Sequence, residues 1–339
     1  MKLTLQGLLG AVALSTVMVT GAVAKDLTIS IWGGGYAEEF KKQVVEPFEK
    51  QTGATVRVEG GLSTERLAKL MATHGRGVDL IYLTDYQMAE AKKRGLLEAV
   101  DPSKLGNLSD LYDFARDPLG GNTCPAFTVA GVGLAYNKDQ FHEPPQSWKE
   151  LFSKSLPGKA GYVDMSVSYA PLLLAEVAKL YGGGIDNVDP AFKQIEEAKP
   201  HLQFFTRQEI LQSVNQGDVS LTPQLNIFVK KDDSVPLRFT WPKDGGLGVL
   251  NLVCMVKGTD VPELAEKFID FHLSKAAQEG MLKAQGETPV NKKAERPATS
   301  NFNVIPQSDI GNLQFFDVNK ILAHRDEWMK RWQEQVLAQ

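Results

Sequence analysis

The residues able to do covalent or metal chemistry are scattered along this chain. Its five histidines stand at 74, 142, 201, 272 and 324, and there is no adjacent tyrosine pair to join them in an iron site. No GxSxG, HExxH or Walker loop occurs, and the two cysteines, Cys124 and Cys254, are far from metal-ligand spacing. Gly33-Gly34-Gly35 lacks the GxGxxG spacing of a dinucleotide turn. Ser168 and Cys124 could be named as nucleophiles, but neither has a base near it in sequence. These absences point away from catalysis, cofactors and bound metal, and toward recognition. Two pieces carry recognition chemistry. Trp32-Gly33-Gly34-Gly35-Tyr36 offers a flat aromatic face, glycines that let a ligand approach the backbone, and a helix start whose free N–H groups suit an anion. Arg207, after a predicted strand, can clamp a carboxylate or phosphonate through a bidentate pair. The plainer alternatives are a tight turn beside a core Trp and a surface Arg at a helix start.

The elements that must position these residues alternate. KDLTISIW (25–32) is β-branched and alternating, which predicts a strand, and the three glycines break it. Phe40, Val44, Val45 and Phe48 then recur at helical spacing up to Gly53, with Pro47 placed to kink or divide the helix. A strand at 54–59, a helix opened by Ser63 and running to 74, an apolar strand at 78–83 and a helix at 86–94 follow. Strands alternating with helices imply an α/β lobe with a mostly parallel sheet. CPAFTVAGVGLAY (124–136) and LGVLNLVCMV (247–256) read as long apolar crossing strands. Between them lies a second α/β series, with strands at 161–167, 202–206 and 219–222. Helices at 262–274 and 275–283, then an amphipathic tail at 317–336, complete the chain.

With 339 residues the chain is long enough for two lobes, and its formal net charge of −4 provides no basic excess for nucleic acid. Residues 1–24 read as a signal peptide. Lys2 precedes an apolar run, Leu8–Thr20, and Ala22 and Ala24 suit cleavage between Ala24 and Lys25. The run is shorter than the roughly 20 residues that span a bilayer. No Cys follows the cleavage point to carry a lipid, so the mature protein is expected free in the periplasm. Two thiols there can pair, or can stay buried as small hydrophobes.

The order of short motifs carries a resemblance. It runs through Trp32 with its glycines, Phe48-Glu49-Lys50-Gln51-Thr52-Gly53, Val78-Asp79-Leu80-Ile81 and Gly95-Leu96-Leu97-Glu98. It continues through Gly133-Leu134-Ala135-Tyr136-Asn137, Ser147-Trp148-Lys149-Glu150-Leu151-Phe152, Gly217-Asp218-Val219, Trp241-Pro242-Lys243-Asp244-Gly245-Gly246 and AEKFIDFHL (265–273). Over nearly the whole mature chain it resembles the extracellular solute-binding proteins of ABC transporters, in particular the spermidine/putrescine-binding branch. The resemblance implies an α/β venus-flytrap fold, with lobe one at 25–135 plus 250–305 and lobe two at 136–249 plus 306–339. It implies a monomer that hands a small solute to an inner-membrane ABC permease and uses no cofactor. Crossing strands of such a fold lie side by side, which favours a Cys124–Cys254 disulfide.

In such a fold ligands meet the strand-to-helix turns. The expected contacts are Trp32, Gly33, Gly34, Tyr36, Thr84, Asp85, Tyr86, Ser166, Ser168, Tyr169, Arg207, Gln224, Asn226 and Asn251. Thr84 and Tyr86 match contact positions of the family; Asp85 is either an amine partner or a helix cap. Polyamine binders of the family hold ammonium groups with carboxylates, where this chain has Ser168, Pro171 and Asn251. Their aromatic positions fall on Leu225 and Val249. An ammonium group removed from water needs a paired charge or several acceptors. The reading favoured is therefore a small anionic or zwitterionic, amino-acid-like solute. The alternatives are a polyamine, ferric iron, and a periplasmic enzyme.

Overall fold

A computed structural model describes residues 26–206, 209–297 and 300–338. The signal-peptide reading of 1–24 and the clamp assigned to Arg207 fall outside these residues. Eleven strands form one sheet: β1 (Asp26–Trp32), β2 (Thr55–Gly61), β3 (Leu80–Thr84), β4 (Leu97–Glu98), β5 (Ala126–Asn137), β6 (Lys159–Val163), β7 (Leu202–Phe205), β8 (Val219–Leu225), β9 (Leu237–Thr240), β10 (Leu247–Val256) and β11 (Thr288–Pro289). The main order is β2-β1-β3-β10-β5-β8-β6-β7. At one end β1 runs parallel to β2 and β3; at the other β6 runs parallel to β7 and β8. The antiparallel pair β5–β10 joins these two wings. Every residue of β5 is buried, as its unbroken apolar run requires for a strand covered on both faces.

Glycines make that covering close. A Cβ at Gly131 would lie 2.6 Å from the Trp241 ring, and one at Gly133 would lie 2.5 Å from the Phe239 ring. The bare backbone of β5 is thus the surface on which these two aromatics rest. Cys124, just ahead of β5, is disulfide-bonded to Cys254 of β10, with Cα atoms 4.7 Å apart. The bond fastens the joining pair at the end where β10 pairs with β3 of the first wing.

The predicted first helix is continuous but irregular. It runs as α-helix over Gly35–Phe40, as a π turn over Lys41–Val45, and as α-helix again over Glu46–Thr52. Pro47 has no N–H to give and crowds the preceding turn, so the wider π turn sits just before it. The C-terminal helix, Val318–Arg331, touches both wings. Arg325 Nη1 lies 3.3 Å from Glu90 Oε2 on the helix after β3, and Arg331 Nη1 lies 2.9 Å from Asp189 in the other wing. Beyond it the Trp332 ring stacks on Tyr162 of β6, and its Nε1 donates to Asp164 at 3.0 Å. Among the described residues no helix is long and apolar enough to cross a membrane.

Candidate functional site

β1 and β3 are parallel neighbours, so both deliver their last residues to the same edge of the first wing. At that edge the chain turns from Trp32 into the helix beginning at Gly35, and from Thr84 into the helix Asp85–Lys93. A third helix, Ser63–Thr73, follows the end of β2.

The glycine turn has two jobs. Gly33 is packed against β2: a Cβ on it would lie 3.2 Å from Gly61 N, and one on Gly60 would lie 2.8 Å from Gly33 Cα. The side of Gly33 expected to receive a ligand is taken up by the backbone of β2. Gly34 has φ 63°, ψ −147°, a conformation open to glycine alone, and it and Gly35 are exposed with open space around them.

Around this turn stands an aromatic and charged cluster. The Trp32 and Tyr36 rings meet edge to face, centroids 5.4 Å apart. Trp32 Nε1 donates to Ser63 Oγ at 2.8 Å. The Arg66 guanidinium carbon lies 5.2 Å from the Trp32 ring centroid. Arg66 is 6% exposed. Its Nε donates to Gly61 O, its Nη1 to Ser30 O and Tyr82 O, and its Nη2 to Ser63 Oγ at 3.3 Å. Burial lowers its pKa to about 10, so it stays charged at neutral pH. Among the described residues no carboxylate lies within ion-pair distance of it. Four of its five N–H groups are used, which leaves one on Nη2. Ser63 Oγ receives two hydrogen bonds, so its own proton is its remaining capacity.

On the other side of Tyr36, its hydroxyl donates to Glu287 Oε1 at 2.7 Å. Glu287 is 7% exposed, and burial raises its carboxyl pKa to about 7. Desolvation, then the nearby Glu287 charge, pushes the Tyr36 phenol well up. Sequence reading missed Arg66, Ser63 as a polar contact, and Glu287. A signal for Arg66 existed: residues 63, 66, 67 and 70 share the buried face of one helix, and a cation there is out of place. Glu287 had none, because only the fold brings the turn before β11 to Tyr36.

The remaining expected contacts divide. Thr84 stands opposite Asn251 in the β3–β10 register, and Asn251 in turn stands opposite Thr128 of β5. Asp85 is buried; its Oδ1 accepts from Tyr86 N–H at 2.7 Å and its Oδ2 from Leu250 N–H at 3.3 Å. Burial lifts its pKa to about 7. The Tyr86 hydroxyl is buried with no hydrogen-bond partner among the described residues; Arg325 and Asp326 of the C-terminal helix and Glu90 of its own helix lie within its electrostatic reach. In the second wing Ser166 is exposed and Ser168 half-buried. Tyr169 is buried, with its hydroxyl 3.5 Å from Gln224 Oε1. Gln224 is 2% exposed, and its Nε2 has no hydrogen-bond partner among the described residues. Asn226 is committed to backbone: Oδ1 accepts from Gly131 N–H at 2.9 Å and Nδ2 donates to Asn303 O at 2.6 Å. That amide ties β5 to the segment before Ile305. Among the described residues no group of three or more His, Cys, Asp or Glu side chains could hold a metal ion.

Known proteins resemble this chain over most of its length. The chain is 27% identical over 284 residues to the gamma-aminobutyric acid-binding protein of Pseudomonas aeruginosa, covering 80% of this chain and 78% of that one. It is 24% identical over 284 residues to the spermidine/putrescine-binding periplasmic protein of Escherichia coli, covering 80% of each. The crystal structure of an ABC transporter from Clostridium perfringens superposes with a TM-score of 0.81 at 24% identity, over 91% of this chain and 99% of that one. The expected two-lobed binding-protein fold is thereby borne out. Residues 43–304 match the family described as bacterial extracellular solute-binding protein, and the chain belongs to that family.

Proposed function

We propose that the chain is the periplasmic capture component of an ABC importer, and that its solute is small, polar and amino-acid-like, with at least one anionic group. The observation that carries this reading is Arg66: a buried guanidinium, unpaired with any carboxylate among the described residues, beside Trp32 at the carboxyl ends of β1 and β3. Removing a charge from water is costly unless a partner meets it. A carboxylate entering from the cleft supplies that partner, taking the spare Arg66 N–H and the Ser63 proton as two charge-assisted donors. The named ligand of the Pseudomonas aeruginosa relative, gamma-aminobutyric acid, has this chemistry. The polyamine reading has the Escherichia coli relative in its favour. Against it stand Ser168, Pro171 and Asn251, neutral where the polyamine branch is expected to hold carboxylates. The same reading takes the protein as a monomer that delivers its solute to a membrane permease and catalyses nothing.

The test is a thermal-shift screen of the mature protein with amino acids, ω-amino acids, dicarboxylates and polyamines. A ligand present at about 100 times its Kd stabilises the folded state by roughly 2.7 kcal/mol. We expect shifts with carboxylate-bearing solutes and none with putrescine. Arg66→Lys, which keeps the charge but loses the planar fork, is expected to weaken binding about tenfold or more. Shifts with putrescine or spermidine alone would refute the reading.

A further inference from the structure

Glu287 is not accounted for by an anion-binding reading. It is a buried carboxylate with no basic side chain within ion-pair distance among the described residues, and one hydrogen bond, from Tyr36. A protein that needed Arg66 and Glu287 only for stability could have paired them. Instead the contacts run Arg66, Trp32, Tyr36, Glu287 in sequence, with the two aromatic rings between the opposite charges. Phe127 and Tyr82 back this row: Phe127 lies 6.4 Å from Trp32 and 5.1 Å from Tyr82 between ring centroids. Two unlike charges held apart across an apolar wall form a template for a molecule with unlike charged ends and a hydrocarbon middle.

We propose that Glu287 and Tyr36 receive the ammonium end of the solute, so that the ligand is a short ω-amino carboxylate laid along Trp32 and Tyr36 with its carboxylate at Arg66. The proposal rests on the preceding reading and assigns the other end of the molecule. An ammonium group brings three donors. Glu287 Oε2, which takes no hydrogen bond among the described residues, accepts one of them, and the faces of Tyr36 and Trp32 attract the same charge. The methylenes of the solute displace water from the rings. Both charged ends are then read by lobe one, and lobe two closes over them.

The test compares γ-aminobutyrate, butyrate, butylamine and putrescine by calorimetry on the mature protein and on Glu287→Gln. The proposal expects γ-aminobutyrate to bind the wild type far more tightly than butyrate does. In Glu287→Gln its affinity should fall about ten- to hundredfold, as for loss of a charged hydrogen bond, with butyrate unchanged within about twofold. Should Glu287→Gln fold poorly, Tyr36→Phe removes the hydroxyl that orients the carboxylate and is expected to act in the same direction. Equal wild-type affinity for butyrate and γ-aminobutyrate would overturn the ammonium site while leaving the anion reading intact. Binding of neither would overturn both. An equal loss of both ligands in Glu287→Gln would show a purely structural role and overturn the proposal.

Discussion

Placing an ammonium on Glu287 makes capture depend on pH, and the size of the dependence follows from the site. Burial holds the Glu287 carboxyl at about 7 in the free protein, with the Tyr36 hydrogen bond opposing that rise. The groups facing it do not titrate nearby. Tyr36 and Tyr82 are both raised, and His272, whose Nδ1 sits 3.1 Å from the Tyr82 hydroxyl, is held neutral by burial with its pKa lowered to about 3. Arg66 at about 10 stays charged. At pH 5 Glu287 is therefore protonated and must lose that proton before it can pair with an ammonium. Two pH units below its pKa this costs about 2.7 kcal/mol, or a factor of about 100 in affinity. Affinity should rise about tenfold per unit up to pH 7 and level off above pH 8. Calorimetry of γ-aminobutyrate in buffers of different ionisation enthalpy measures the accompanying proton release: close to one at pH 5, about half at pH 7, none at pH 9. Asp85 also stands at about 7, so Asp85→Asn and Glu287→Gln must be run in parallel. A profile that is flat in the wild type, or that survives in Glu287→Gln, would refute the reasoning. Without ligand the sign reverses. A carboxyl whose pKa is raised on folding favours the folded state below its unfolded value. That advantage is lost as pH climbs to 7, so Glu287 should cost the apo protein about 3 kcal/mol of stability between pH 4.5 and 8.

Two further outcomes are expected. The Cys124–Cys254 bond spans a sequence separation of 130, for which chain entropy gives close to the upper end of the usual range. Replacing both with Ser should lower denaturant stability by about 2–5 kcal/mol, and ligand affinity measured on the folded variant should be unchanged. Gly60→Ala puts a Cβ 2.8 Å from the Gly33 backbone, with no flexible side chain to yield. It should cost about 1–3 kcal/mol in a thermal melt and weaken ligand binding by displacing the Trp32 turn; an unchanged melt would show that the strand ends part without strain.

The long elements were legible because their patterns are strong. β10 falls where the apolar run 247–256 put it, and β5 departs by a residue or two from the 124–136 prediction. The strand expected at 161–167 begins at Lys159 and stops at Val163, because Asp164 caps a turn by accepting from Ser166 N–H. β4, β9 and β11 were not predicted; they are too short for alternation to register and exist because β5 and β10 offer edges to pair with. For the candidate site, the turns after β1 and β3 share one edge, as parallel neighbouring strands require, but the partner of each side chain was not legible. Asn226 looked like a contact by position, yet its amide is spent on Gly131 and Asn303. Tyr86 matches a contact position of the family, and in the fold Arg325 and Asp326 of the C-terminal helix lie within its electrostatic reach. Pairings such as Tyr36 with Glu287 join residues separated by most of the chain, and no local pattern encodes them.

The sheet order has a consequence for how the molecule is made. β3 ends at Thr84, but its partner β10 begins at Leu247. The strands of the second wing, from β5 through β8, lie together between Ala126 and Leu225. During synthesis the second wing therefore has all its strands in hand while the first is still open along one edge. The first wing, begun earliest, closes its sheet after the second, and its long-range pairing is slow by nature; both wings then await the C-terminal helix, which pairs with Glu90 in the one and Asp189 in the other. A nascent chain of this kind stays incompletely folded until nearly its whole length has emerged, which is the state in which a polypeptide can still be threaded across a membrane.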